Sequence, residues 1–339
     1  MSSSINESAL TYWKHTGYTT LDVHEVGRKL DRERMFGVVE FRGKEALHVA
    51  VSNNLADRAE GHAITWIKFF EEVASSWKEE PLVGRILVWA EDAMFEWERD
   101  PSAKVPVFAF GKHEMDSQSL LIPDPTFMQS RGHLADLARL DEVETSMSWF
   151  DKKPIVFWRG ANSGLYMNAP DDNWKKASRM RLALVSKEFN NLNVLDAAIS
   201  KVVDQGDEHF TKRVYELGVV KDYIPFEDFL SYRYQVDVDG ISCAWLSCFL
   251  KLASKSLMLK VQSPYKQWYY GDLLPWKHYV PVASDLRDLI DVIDWIGAHQ
   301  EAAQHIAEAG RSFIREYTYE RVLQETGQLI AEVLKCQKD

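Results

Sequence analysis

Residues 234–261 read YQVDVDGISCAWLSCFLKLASKSLMLKV. The first five residues form a strand-like run that meets an acid and Gly240. Residues 244–253 carry apolar side chains at helical spacing, and 256–261 form a second strand-like run. Moving outward, the same alternation recurs: a strand at 155–158, a helix at 175–189, a strand at 192–195 and a helix at 226–231. Strands that alternate with helices argue for a parallel sheet in a doubly wound α/β domain.

The amino-terminal part reads as mixed α and β. Residues 35–41 and 46–52 are strand-like and joined through Arg42-Gly43, which suggests a hairpin. In 63–77, Ile64, Ile67, Phe70, Val73 and Trp77 fall at helical spacing. Residues 86–89 and 105–110 are short apolar runs of the kind expected for strands covered on both faces. A helical stretch, 134–150, leads into Asp151-Lys152-Lys153-Pro154, which reads as a linker. From 286 to 334 the pattern is helical, with Gly310 and Thr318 as breaks.

The chain has 339 residues, enough for two domains, and 46% hydrophobic residues with twelve tryptophans indicate a folded protein. A net charge of −11 disfavours a general nucleic-acid binder, although a local basic pocket for one pyrophosphate is compatible with it. Cys243, Cys248 and Cys336 have no metal or disulfide spacing. No secretory signal is evident at the start, no apolar run approaches the ~20 residues that span a bilayer, and the ending KCQKD is no retrieval signal. These features lead to the expectation of a cytoplasmic protein, with peripheral contact at the inner face of a membrane left open.

Three constellations could carry chemistry. At 155–164 a strand ends in Arg159-Gly160 and continues through Ala161, Asn162, Ser163 and Gly164 toward a helix bearing Arg179 and Arg181. Glycines let backbone approach an anion, and a helix N-terminus adds partial positive charge. Glycine in such a turn is also common for steric reasons, and helix arginines are commonly solvated. At 232–240 a second strand ends in Asp237, Asp239 and Gly240. An acid there can hold ribose hydroxyls, and glycine permits close approach; alternatively, Asp239 is a turn former or helix cap. The Asp237-Val238-Asp239 spacing resembles a metal-binding DxD, a pattern that chance supplies in acidic proteins. At 88–92 a strand ends in Glu91-Asp92, where a carboxylate could take a proton from an attacking hydroxyl or lie in solvent.

Residues 256–286, SLMLKVQSPYKQWYYGDLLPWKHYVPVASDL, hold five aromatics between 268 and 279, Trp268, Tyr269, Tyr270, Trp276 and Tyr279, among Pro264, Pro275 and Pro281. Such a mixture usually lines a cleft. This run resembles the signature of glycosyltransferase family 90. So do FWRG at 157–160 with its following arginine, VDG at 238–240 followed by SLMLK, PVFAFGK at 106–112 and IPDPTF at 122–127. His278 sits in the PWxHYxP pattern as a structural histidine.

The resemblance implies a GT-B fold, two Rossmann-like α/β domains facing a cleft: an acceptor-side domain at 1–150, a nucleotide-sugar domain at 151–315, and a helix at 316–339 packing back on the first. It implies inverting transfer from a UDP-sugar to a glycan or lipopolysaccharide-type hydroxyl, with no metal and no cofactor besides the donor. Asp92 takes the position of the catalytic base. Arg159, Gly160, Ser163, Arg179, Asp196, Asp239, Gly240, Ser242 and Lys260 take nucleotide-sugar positions. Ala161 stands where some relatives carry serine, with Ser163 as a substitute, and Glu91 replaces a frequent arginine. The stretch 242–247 lacks a phosphate-binding arginine, and Lys260 is the candidate replacement charge. Two other readings are a catalytically silent nucleotide-sugar or glycan-binding protein and a protein O-glycosyltransferase.

Overall fold

A tight turn shapes the first sheet. Gly43, at φ +74, adopts the left-handed conformation that glycine tolerates. It reverses the chain between β1 (Phe36–Gly43) and β2 (Glu45–Val51), an antiparallel hairpin. This computed structural model describes residues 4–23, 26, 36–51, 60–89, 92–93, 105–164, 171–203 and 208–338. Ser52, at the end of the expected second strand, and Glu91, beside Asp92, lie outside them.

The chain divides into two compact units, one of residues 1–133, 264–273 and 317–339, the other of residues 134–263 and 274–316. These bounds differ from 1–150 and 151–315: residues 134–150 belong with the second unit, and 264–273 with the first.

In the first unit β1 also pairs antiparallel with β3 (Leu82–Trp89), and β3 continues in parallel to β4 (Val107–Ala109) and β6 (Leu120–Leu121). The sheet is therefore mixed: the hairpin read from the sequence imposes antiparallel pairing on β1, in contrast to the Rossmann-like sheet that the resemblance implies for this domain. Helix α1 (Glu7–Thr16) and the last helix, α8 (Tyr319–Leu334), pack together. Helix α8 also lies on β3 and on α2 (Glu60–Ser76). The Thr318 hydroxyl caps α8 by accepting from the Arg321 N–H at 3.3 Å.

Part of the aromatic run is core: Trp268 and Tyr269 are buried, and Tyr270 and Tyr279 half-buried. Strand β11 (Tyr265–Gln267) pairs with β5 (Gly111–His113), and the Trp268 ring lies 5.0 Å from Phe127 and 5.1 Å from Tyr317. Of the run's rings, Trp276 is 50% exposed.

The second unit holds an all-parallel sheet in the order β12-β10-β9-β7-β8. Its strands are β7 (Lys153–Ala161), β8 (Leu195–Lys201), β9 (Tyr232–Asp237), β10 (Leu257–Val261) and β12 (Val280–Val282). Val220 adds a parallel bridge to Ile199 at the β8 edge. Counted along the chain, this is a doubly wound order that reverses between β7 and β9. Helices α3 (Leu134–Glu144), α4 (Ser178–Glu188), α5 (Trp245–Ala253), α6 (Leu289–Ala298) and α7 (Gln300–Arg315) belong to the unit, with two further helices at Glu208–Glu216 and Phe226–Phe229. Its core joins Val156, Val236, Leu257 and Leu259 on strands to Met180, Leu182 and Ile296 on helices.

Two sequence expectations are corrected here. Strand β8 starts at Leu195 instead of ending there. Gly310 lies inside α7 and makes no break; a Cβ there would run into the His278 carbonyl, so the glycine serves close packing.

Asp151-Lys152-Lys153-Pro154 is no linker. The Lys152 ammonium is fully buried and donates to Glu144 Oε1 at 2.6 Å, to the Leu230 carbonyl at 2.6 Å and to Ser256 Oγ at 3.0 Å. Arg233 reaches across to the carbonyls of Trp149 (3.0 Å), Phe150 (3.2 Å) and Lys152 (3.1 Å). Burial pushes the Lys152 ammonium below its usual range, opposed by Glu144. Removing one member of such a pair leaves the other charged and unpaired. Lys152→Met should therefore cost about 3–5 kcal/mol of unfolding free energy in urea titrations. The double variant Lys152→Met/Glu144→Leu should cost less than the single one.

Candidate active site

In open α/β sheets, ligands bind beyond the carboxyl ends of the strands where the strand order reverses. Here that point lies between β7 and β9, and the residues that follow both strands meet there. Arg179, in the first turn of α4, donates from Nη1 to Ser163 Oγ at 2.8 Å and to the Ala161 carbonyl at 3.3 Å. Its Nε donates to the Val238 carbonyl at 3.3 Å. The guanidinium thus ties the β7 loop to the β9 turn. It lies against Gly240, where a Cβ would come within 3.0–3.2 Å of the guanidinium atoms. A side chain at 240 would press on this guanidinium.

Beneath the turn is a group of buried charges. Asp237 is wholly buried and accepts from Lys251 of α5 at 3.2 Å and from Lys260 of β10 at 2.7 Å. Burial works against its charge, but Lys260 and Lys251 prevail and hold the carboxyl well below the usual range. Lys260 is also 3.8 Å from Asp239 Oδ1. Although burial disfavours its charge, Asp237 and Asp239 keep the ammonium well above its usual range. Both Asp237 oxygens have ammonium partners, which leaves it poorly suited to hold a metal.

Asp239 closes the turn, its Oδ1 accepting from the Ala244 N–H at 3.0 Å, so the turn-forming alternative describes one of its oxygens. Its Oδ2 is buried without a hydrogen bond, as are Ser242 Oγ and Asn162 Nδ2. Burial raises the Asp239 carboxyl, reinforced by Asp237; Lys260, Ser263 and Arg179 act in the opposite direction. Buried polar atoms without partners are costly, and three of them cluster on the two loops that Arg179 joins.

The structure thus gathers Ser163, Arg179, Asp239, Gly240, Ser242 and Lys260 around one turn. It does not bring Arg159 or Asp196 there. Arg159 Nη2 donates to both carboxylate oxygens of Asp196, at 2.9 and 2.8 Å, and Lys221 adds a contact at 2.7 Å. Asp196 is the second residue of β8, about 16 Å below its carboxyl end by strand rise, and its carboxylate is occupied by two cations. Gly160 is bare because a Cβ would meet the Trp158 ring at 2.7 Å. Lys260 shares its charge with two carboxylates, so it is a weak replacement for a phosphate-binding arginine. Asp92 lies in the first unit, exposed and just past the end of β3. The sequence reading missed Lys251, whose signal was a lysine inside the apolar helix WLSCFLKLA.

Asp237→Asn should leave Lys251 and Lys260 short of countercharge and cost about 3–5 kcal/mol at neutral pH. The Asp237 carboxyl is depressed in the fold, so its stabilisation is present above the ordinary value of 3.8 and lost as pH falls below it. Urea titrations should therefore show a wild-type advantage that is constant above about pH 5 and shrinks below pH 4.

Glycosyl transferase family 90 matches residues 86–338, well over half of the chain. Protein O-glucosyltransferase 3 of Rattus norvegicus is 33% identical over 239 residues, covering 67% of this chain and 42% of that protein. Protein O-glucosyltransferase 1 of Homo sapiens is 26% identical, covering 63% of this chain and 52% of that protein. This chain therefore spans about half or less of the length of these relatives. Among solved structures, HepE of Anabaena in complex with UDP-glucose aligns over 81% of this chain and 76% of its own, at 10% identity and a TM-score of 0.42. By the extent of the family match, this chain belongs to glycosyl transferase family 90.

Proposed function

We propose that the protein is an inverting, metal-independent transferase that moves a sugar from a UDP-sugar to a hydroxyl. The observation that carries this reading is Arg179, a cation lodged on Gly240 at the switch point of a parallel sheet, where a diphosphate can meet both guanidinium and backbone. In this reading the second unit holds the donor, and Arg179 with the β9 turn stabilises the departing UDP. Asp92, in the first unit, is the base. It takes the acceptor's proton as the oxygen bonds to the anomeric carbon and the bond to the β-phosphate oxygen breaks. The acceptor is a glycan or lipopolysaccharide-type hydroxyl; the names of the relatives favour a second reading, a hydroxyl on a protein.

Calorimetry with UDP in EDTA tests the donor half. Wild type should bind without added metal, and Arg179→Ala should bind about 10- to 100-fold more weakly through loss of a charged hydrogen bond. Equal affinities with the fold intact would remove Arg179 from the site, and a strict need for Mg²⁺ or Mn²⁺ would remove the metal-independent reading.

The catalytic half is tested by transfer assays with panels of UDP-sugars against glycan and peptide acceptors. Asp92→Asn should lower transfer by roughly 10²–10⁴-fold while UDP binding stays near wild type. Transfer at the parental rate would make Asp92 an ordinary surface acid.

A further inference from the structure

Three cations, Arg179, Lys251 and Lys260, and two carboxylates, Asp237 and Asp239, make up the charge around the β9 turn. They are not equally available to a ligand. Lys251 and Lys260 grip Asp237, and Lys260 also faces Asp239. Arg179 donates to two carbonyls and a hydroxyl. The first turn of α5 supplies no further cation. A diphosphate placed against Arg179 would bring about two or more negative charges next to Asp239, which is 9% exposed. Two neighbouring anions of that kind cannot both stay charged without a large penalty.

The geometry of Asp239 points to the resolution. Oδ1 is held as an acceptor by the Ala244 N–H, while Oδ2 is buried and makes no hydrogen bond. A proton added to Asp239 therefore belongs on Oδ2, which changes from an orphaned acceptor into an O–H donor. The groups that face this carboxyl are Asp237 on its own strand, Cys243 on the turn, Lys260 on β10, Ser263 after β10 and Arg179 on α4. Lys251 and Cys248 of α5 and Tyr279 act on the same cluster through Asp237 and Lys260. The Cys243 thiol is itself pushed well up by burial and then by Asp239, so it stays neutral and adds no charge. Burial and Asp237 already favour the neutral carboxyl in the absence of ligand, against Lys260, Ser263 and Arg179.

We propose that Asp239 takes up a proton when a nucleotide diphosphate binds, and that its neutral carboxyl then donates a hydrogen bond from Oδ2 to a phosphate oxygen. This rests on the donor-site reading above and adds a role for which a cation would be the ordinary choice. The proton comes from water, and no other bond changes. A carboxylic acid kept neutral as a donor is established chemistry at buried sites. Ser242 Oγ, buried without a partner on the same turn, is a second hydroxyl available to the same ligand.

The test compares wild type with Asp239→Asn, using UDP as the probe. Asparagine keeps an oxygen to accept from Ala244 and offers a permanent N–H₂ donor in place of Oδ2. Thermal unfolding first establishes that the variant is folded. Affinity is then measured from pH 6 to 8, and proton uptake by calorimetry in two buffers of different ionisation enthalpy. UDP's own ionisation cancels in the difference between the two proteins. The wild type should take up more protons than the variant. Its affinity relative to the variant should rise as pH falls, by up to about tenfold per pH unit, and the variant should bind more tightly than wild type at pH 8. Equal proton counts, or a pH-independent affinity ratio, would overturn the proton uptake while leaving the donor site in place. No UDP binding by wild type would overturn the donor site and this proposal with it. Should Asp239→Asn not fold, the two-buffer measurement on wild type decides alone: UDP-glucose has no phosphate group titrating in this range, so binding of it without proton uptake would overturn the proposal.

Discussion

A buried carboxylate held by two ammonium groups organises the second unit. Asp237 joins the end of β9 to α5 through Lys251 and to β10 through Lys260. Three elements are thereby fixed at the point where the parallel sheet reverses its strand order. Burying these ions is expensive, and their attraction offsets the cost only because the geometry lets each ion meet an opposite charge. The turn at 238–244 inherits that rigidity: Asp239 closes it, Gly240 leaves room, and the Arg179 guanidinium fills the room. A site built on rigid strand ends holds its groups more precisely than one built on loops alone.

The same constraint bears on which cation is proposed to meet a ligand. Lys260 is close to the right place for a phosphate contact, yet its ammonium lies between two carboxylates. Arg159 has the right position in the sequence, but its Nη2 is taken by both Asp196 carboxylate oxygens and its Nη1 by the Trp158 and Asp196 carbonyls. Arg179 binds two carbonyls and a hydroxyl, neutral partners that a diphosphate can join.

Much of the second unit was legible from the chain because buried parallel strands are short apolar runs and their helices keep a regular period. That reading located β7, β9, β10 and the turn that holds Asp239 and Gly240. It failed where tertiary partners decide. Lys152 looks like part of a linker until Glu144 and Ser256 are seen around it. Gly310 looks like a break until the His278 carbonyl is seen against it. The aromatics of 256–286 suggested a lined cleft, but Trp268 among them packs against rings from distant parts of the chain, Phe127 and Tyr317. The pairing of Arg159 with Asp196 was equally hidden, since the error in the start of β8 moved Asp196 from one end of the strand to the other. Lys251 carried a readable signal, a single charge in an apolar helix.

The central claim is that the β7 and β9 ends form a diphosphate site organised by Arg179. A crystal structure of the protein with UDP tests it most directly. The account predicts phosphate oxygens about 2.7–2.9 Å from the Arg179 guanidinium, beside Gly240 and within reach of Asp239 Oδ2. UDP bound with its phosphates away from Arg179, or beside Arg159 and Asp196 with that ion pair opened, would contradict it.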